Sequence, residues 1–250
     1  MKKVPYIKQT NKGGLYDFAK GKFTKTWIPN ATLKGRYKIR TSGCGPCVTA
    51  MAIYYALGKF VNPATLNAMY NPGHGSAHSI VMYECKKRGI YAKFTTNIND
   101  VTKALEDGCI VESVQGPGEF TRNGHFILLI DYIKGRIWVN DPASIARTAR
   151  LSGKTYTPQE VDKNVRKTSQ RYTIVYPHPL VTVRKGDQGE DVRRWQLFLK
   201  WKGYGVKCDG AFGSITESAT KAYQHSKGLS QDGIAGPKTR KKAVEDYGKA

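Results

Sequence analysis

The stretch Ser42-Gly43-Cys44-Gly45-Pro46-Cys47, running on through Val48-Thr49-Ala50-Met51-Ala52-Ile53-Tyr54-Tyr55-Ala56-Leu57, decides how this chain is read. No charge interrupts residues 48–57, so the spacing predicts a helix over about 44–57 that is buried on most sides. Pro46 suits the first helical turn, where its missing N–H costs nothing, and Gly58 reads as the stop. Cys44 therefore stands at the foot of a buried helix. A thiol there feels the partial positive charge and the unpaired N–H groups of the helix N-terminus, which favour thiolate, the nucleophilic form.

The remainder of the chain bounds the class of protein. Its 250 residues are 40% hydrophobic and 24% charged, as in ordinary globular proteins, but the net charge is +22. Residues 1–182 carry +16 and residues 183–250 carry +6. Such a surface favours polyanions: nucleic acid, anionic lipid or anionic wall polymers. The basic stretch 145–171 has no nucleic-acid motif beside it, which argues against nucleic acid as the partner. No apolar run approaches the ~20 residues needed to span a bilayer, so no stable membrane insertion is expected. Met1-Lys2-Lys3 is not followed by an apolar segment, which predicts a chain made in the cytoplasm without a signal peptide. The five cysteines (44, 47, 85, 109, 208) are odd in number and few, which argues against a disulfide framework.

Residues 1–40 read as extended segments and loops. After the 44–57 helix, a short helix is expected after Pro63, through Ala64, Leu66, Ala68 and Met69, and another over 78–88. Next come a strand at 90–95, a helix over 101–106 capped by Asn99-Asp100, and strands at 109–114, 125–132, 136–140 and 172–176. Helices first and a sheet later give an α+β domain. Pro177-His178-Pro179 reads as stiff punctuation, with a first domain over 1–176, a linker over 177–182 and a second domain over 183–250. The second part is all helical, with a weak 23-residue repeat aligning Asp209 with Asp232, Gly210 with Gly233, Gly213 with Gly236 and Thr216 with Thr239.

A thiolate nucleophile needs an imidazole partner, an orienter for that ring and oxyanion donors. His125 closes a glycine-rich loop and opens an apolar strand, which makes it the best placed of five histidines. Asn140 and Asp141 on the adjoining strand both qualify as orienter, but alternation lets only one face the ring. A hairpin centred on Ile133, with a loop of three or five residues, sets Asp141 opposite His125. A two-residue Lys134-Gly135 turn puts them about three residues out of register, or ~10 Å. The longer loop is therefore expected.

Val4-Pro5-Tyr6-Ile7-Lys8-Gln9, Ser42-Gly43-Cys44-Gly45-Pro46, Gly124-His125-Phe126 and Asn140-Asp141-Pro142 together resemble the bacteriocin-leader-processing-like branch of the papain-fold cysteine peptidases. The resemblance implies Cys44 as nucleophile, His125 as base, Asp141 as orienter and Gln9 as oxyanion donor, with no cofactor and no metal. Residues 183–244, with Asp209-Gly210, Phe212-Gly213 and Thr216, resemble the three-helix peptidoglycan-binding domain. That implies a wall-binding role for Asp209, Gly210, Phe212, Gly213 and Thr216, although the same residues also read as tight turns and a helix cap. Together the two parts look like a bacteriophage endolysin that cuts an amide of the wall peptide after release from the host cytoplasm. The expected activity is that of an endopeptidase, with a muramoyl–alanine amidase as the alternative.

Other readings compete. Cys44-Gly45-Pro46-Cys47 is also a thioredoxin-like redox tetrapeptide, which requires a buried strand before it in a βαβ unit. Cys44-x2-Cys47 with His74-x3-His78 has zinc-ligand spacing. A wall-binding protein without catalysis is the remaining class.

Overall fold

The computed structural model describes residues 2, 4–9, 14–17, 22–26, 32–33, 37–66, 70–71, 75–76 and 79–250. The main elements are β1 (Tyr6–Lys8), α1 (Cys44–Leu57), α2 (Ile80–Lys87), β2 (Ala92–Thr95), α3 (Ile98–Asp107), β3 (Ile110–Gln115), β4 (His125–Ile133), β5 (Arg136–Asn140) and β6 (Tyr172–Val175), followed by α4 (Glu190–Trp201), α5 (Ser214–Ser226) and α6 (Pro237–Gly248). Strands β5-β4-β3-β6-β2 form a sheet in that order, antiparallel throughout. Two-residue alternation sends Phe126, Leu128 and Ile130 to one face and Ile127 and Leu129 to the other. The first face packs on α1, which is buried along nearly its whole length.

Gly43, immediately before α1, is fixed by sterics. A Cβ there would lie 2.5 Å from the Ile39 carbonyl oxygen and from its Cγ2. The backbone of the short helical turn Ile39–Ser42 thus runs directly into α1.

Three expectations are corrected. After Pro63 there is only a 3-10 turn, Pro63–Thr65, N-capped by the Asn62 side chain; Ala68 and Met69 lie outside the described residues. Helix α3 begins at Ile98 and takes its cap from Asn97, whose side chain accepts from the Asn99 N–H. The β4–β5 hairpin turns on two residues, not three or five. Lys134 (φ 49°) and Gly135 (φ 75°) are both left-handed, as a two-residue hairpin of the right-handed twist requires. A bulge then shifts the register by one residue: Leu129 pairs with Val139 but Asp131 with Trp138, so Ile130 is an extra residue on β4.

The second face of the sheet continues into the C-terminal helices. One apolar cluster joins Ile127, Leu129, Val111 and Tyr172 to Trp195, Phe198, Leu199 and Tyr247. Tyr91 stands 5.1 Å from the Trp201 ring and 6.1 Å from that of Tyr247. Lys200 Nζ reaches Asp107 at 2.6 Å, and the Tyr55 hydroxyl of α1 lies 2.6 Å from Glu190 Oε1 at the start of α4. The proline segment expected as a linker is itself buried. His178 donates its N–H to Ala56 and sets its ring nitrogen 3.0 Å from the Gly89 carbonyl.

Candidate active site

Cys44 is the first residue of α1, and its thiol faces the ring of His125, the first residue of β4, closely enough for that ring to govern its ionisation. His125 Nε2 is 2.7 Å from Asp141 Oδ1, which leaves Nδ1 for the sulfur. Asp141 is completely buried and fully engaged. Its Oδ1 also accepts from the Ala143 N–H at 2.8 Å, and its Oδ2 accepts from Arg147 Nε at 2.6 Å. Its backbone N–H donates to the Thr148 hydroxyl, and its carbonyl accepts from Tyr6 Oη at 3.1 Å.

The bulge at Ile130 and the exit of the chain from the β4–β5 ladder after Asn140 together bring Asp141 to the histidine despite the short turn. Asn140 faces away. Its Nδ2 donates to the Pro5 carbonyl at 2.8 Å and lies against Met51 of α1. Gln9 follows β1, is 5% exposed and donates its backbone N–H to the Pro142 carbonyl at 2.9 Å. The strand before it is bound to the Asp141 segment through Tyr6 and Pro5, so Gln9 borders the same site. Its side-chain Oε1 is buried without a partner.

Electrostatics follow from this geometry. Burial alone would push the Cys44 thiol up. The hydrogen bond and charge of His125, with backbone groups of Phe126 and Gly45, outweigh it and hold the thiol below its ordinary value. Burial would likewise lower His125, but its bonds to Asp141 and Cys44 raise it to about 10. Burial would raise Asp141, yet His125 and Arg147 hold it below the usual carboxylate range. These opposing shifts, the thiol down and the imidazole up, favour a thiolate–imidazolium pair supported by a carboxylate. Cys47 contrasts with it: buried in the core beneath the site, its thiol is pushed well above its ordinary value by burial.

The family model described as Peptidase_C39 like family matches residues 1–173. The chain belongs to the Peptidase_C39 like family. In this C39-like chain the segment 188–242 also matches the model for a peptidoglycan binding domain. A spore cortex-lytic enzyme from Bacillus cereus is 42% identical over 64 residues, 25% of this chain and 25% of its own. A zinc D-Ala-D-Ala carboxypeptidase from Streptomyces albus G is 41% identical over 67 residues, 26% of each chain. The match thus spans about a quarter of the length of these curated relatives. Among solved structures, a C39-like peptidase from Bacillus anthracis is 16% identical, with 54% of this chain and 88% of that one covered and a TM-score of 0.43.

The redox reading of the C39-like chain's Cys44–Cys47 lacks its frame. The described residues before α1 are a two-residue strand, Tyr37–Lys38, and the Ile39–Ser42 turn, and every neighbour pair in the five-stranded sheet is antiparallel, so no βαβ unit is present there. The zinc reading relied on His74 and His78, which lie outside the described residues. Among the described residues no group of three or more His, Cys, Asp or Glu could hold a metal.

The C-terminal turns are held from within. Asp209 Oδ1 accepts from the Ala211 N–H and from Gln196 Nε2, and Gly210 donates to Gln196 Oε1. Gly213 caps α5 from its backbone. Phe212 and Thr216 are buried, and Thr216 Oγ1 accepts from Gln196 Nε2 at 3.2 Å. Gln224 repeats the device, bonding Asp232, Ile234, Thr239 and Gly233. The side chains of Asp209, Phe212 and Thr216 thus serve the turn itself, and the organising glutamines were not singled out by the sequence repeat because their 28-residue spacing differs from its 23. Arg147 was missed for a similar reason: it lies in a stretch whose only sequence signal is basic charge.

Proposed function

We propose that this chain is a peptidoglycan hydrolase of the endolysin kind, an endopeptidase that cuts an amide bond of the wall peptide with Cys44 as nucleophile. The observation that carries the reading is the alignment of Cys44, His125 and Asp141 at the foot of a buried helix, with His125 Nε2 2.7 Å from Asp141 Oδ1. The match to a peptidoglycan binding domain and the wall-lytic names of two relatives support the substrate class. The net charge of +22 supports attraction to anionic wall polymers.

In this mechanism the Cys44 thiolate attacks the amide carbonyl carbon. The oxyanion that forms accepts from the Cys44 backbone N–H and the Gln9 side-chain N–H. The His125 imidazolium gives its proton to the leaving amine as the C–N bond breaks, leaving a thioester on Cys44. Neutral His125 then takes a proton from water, whose oxygen attacks the thioester; a carboxylate is released and the thiolate returns. Asp141 keeps the ring oriented and stabilises its charged form.

The test is mass spectrometry of purified peptidoglycan after incubation with wild type and with Cys44→Ala. New peptide N-termini in the wild-type digest alone support the endopeptidase. Free lactyl-ended glycan indicates the amidase instead, and no product at all defeats the enzymatic reading.

A further inference from the structure

Beside the start of β4 lies an open cleft of about 600 Å³ between the loop preceding His125 and the segment 163–167. Arg122, Lys163, Arg166 and Lys167 line it, and no described acidic residue does. Lys167 pairs with Asp162, but among the described residues no carboxylate lies within ion-pair distance of Arg122, Lys163 or Arg166. A cleft lined by one sign of charge concentrates its field in the opening.

The cleft is built rather than incidental. The Gly116 N–H donates to the Asn164 carbonyl at 2.7 Å, the Arg166 N–H to the Val114 carbonyl, and Arg166 Nη2 to the Asn123 carbonyl at 3.3 Å. Two glycines permit this closeness. A Cβ on Gly118 would lie 2.3 Å from the Asn164 side chain, and one on Gly124 would lie 3.0 Å from Arg166 Nη2. Gly124 is the neighbour of His125, and Gln115 pairs with both His125 and Val165, so Arg166 stands one strand and one residue from His125 in the pairing.

We propose that this cleft is an anion subsite that holds a free carboxylate of the peptide substrate beside the scissile amide. The proposal rests on the peptidase reading above. Guanidinium and ammonium groups lining one cleft suit a carboxylate, which they bind by charge-assisted hydrogen bonds. A substrate with its carboxylates amidated lacks that partner and leaves the cations uncompensated. Closeness to His125 favours the reacting peptide over a phosphate polymer as the occupant.

The test uses the full chain carrying Cys44→Ala, which separates binding from turnover. The probes are the tetrapeptide L-Ala-γ-D-Glu-L-Lys-D-Ala and its fully amidated counterpart, titrated at low and at high salt. The free acid should bind about tenfold tighter than the amide, with the difference shrinking at high salt. Adding Arg122→Gln and Lys163→Gln, both exposed positions, should remove most of that difference; adding Arg166→Gln should remove the rest. Equal affinity for acid and amide, or a preference that survives in the triple variant, overturns the proposal. So does binding of poly(glycerol phosphate) that depends on these cations while the peptide preference does not. Hydrolysis of peptidoglycan by the wild type is read separately, so failure of the subsite and failure of the peptidase reading are distinct results.

Discussion

Arg147 Nε and Asp141 Oδ2 are 2.6 Å apart, on the carboxylate whose other oxygen meets the histidine. The arginine is partly exposed while the aspartate is completely buried, so the pair anchors the orienter from the outside of the site. Arg147 is a positioning residue: it touches neither the sulfur nor the imidazole in the hydrogen bonds it makes. Arg147→Gln should make Asp141 easier to protonate, because a cation that holds its pKa down has gone. The acid limb of the kcat/KM profile should therefore move to higher pH, with a larger loss on the acid side than at pH 8. An acid limb that stays in place would assign Arg147 to structure alone.

Asp141→Ala should lower kcat about a hundred- to ten-thousandfold, because the imidazole loses both its orientation and the charge that stabilises its protonated form. Asn140→Ala should leave kcat within a few fold and lower stability by about 1–3 kcal/mol, through the lost bond to the Pro5 carbonyl. The two effects are separated by steady-state kinetics and thermal unfolding of the same samples. The reverse pattern would place Asn140, not Asp141, in service of the ring.

Glu112 on β3 supplies a pH dependence of stability that is independent of the site. It is completely buried between strands, neither oxygen has a well-formed hydrogen bond, and the neighbouring Thr173 hydroxyl only partly offsets the burial. Burial raises its pKa to about 8. The folded state therefore keeps a proton that the unfolded state has lost above about pH 4.5. The stabilising contribution is complete below that pH and is lost as pH rises to about 8, with a slope of at most ~1.4 kcal/mol per pH unit. Glu112→Gln should flatten this part of the stability curve, as read by denaturant titration between pH 5 and 9. An unchanged curve would mean that the carboxyl finds solvent or a partner.

Tyr247 of α6 packs on Tyr91, Tyr176 and His178 of the peptidase part, with ring centroids 5.8–6.3 Å apart. The two parts should unfold together in calorimetry, in one transition. Tyr247→Ala should cost about 3 kcal/mol, and a chain ending at residue 182 should be destabilised because its Tyr91 and Tyr176 surface is uncovered. Two separate transitions, with the shortened chain unfolding at its original temperature, would show that the parts are merely tethered.

Helix α1 was legible because a charge-free decade of residues between two glycines admits little else, and it lies at the expected 44–57. The short strands were legible within one or two residues from alternation. The hairpin was misread because Lys134 gives no sign that it adopts a positive φ, and because a bulge at Ile130 leaves no mark in an apolar run. Arg147 and the two organising glutamines act across six to twenty residues through geometry that spacing does not encode. Pro177-His178-Pro179 reads as a hinge locally; only the tertiary arrangement of Tyr91, Tyr176, Trp201 and Tyr247 shows the segment lying over a shared core.

The proposed chemistry needs a sulfur ionised by its neighbour, and the rate of Cys44 alkylation by iodoacetamide against pH reads this directly, with the site of modification identified by peptide mapping. The wild-type rate should rise with a midpoint below the ordinary thiol pKa of about 8.5. His125→Ala should move the midpoint upward, since the imidazole's hydrogen bond and charge hold the thiol down. A wild-type rate that rises only around pH 8.5, or a profile that His125→Ala leaves unchanged, would contradict the thiolate–imidazolium pair on which the proposed chemistry stands.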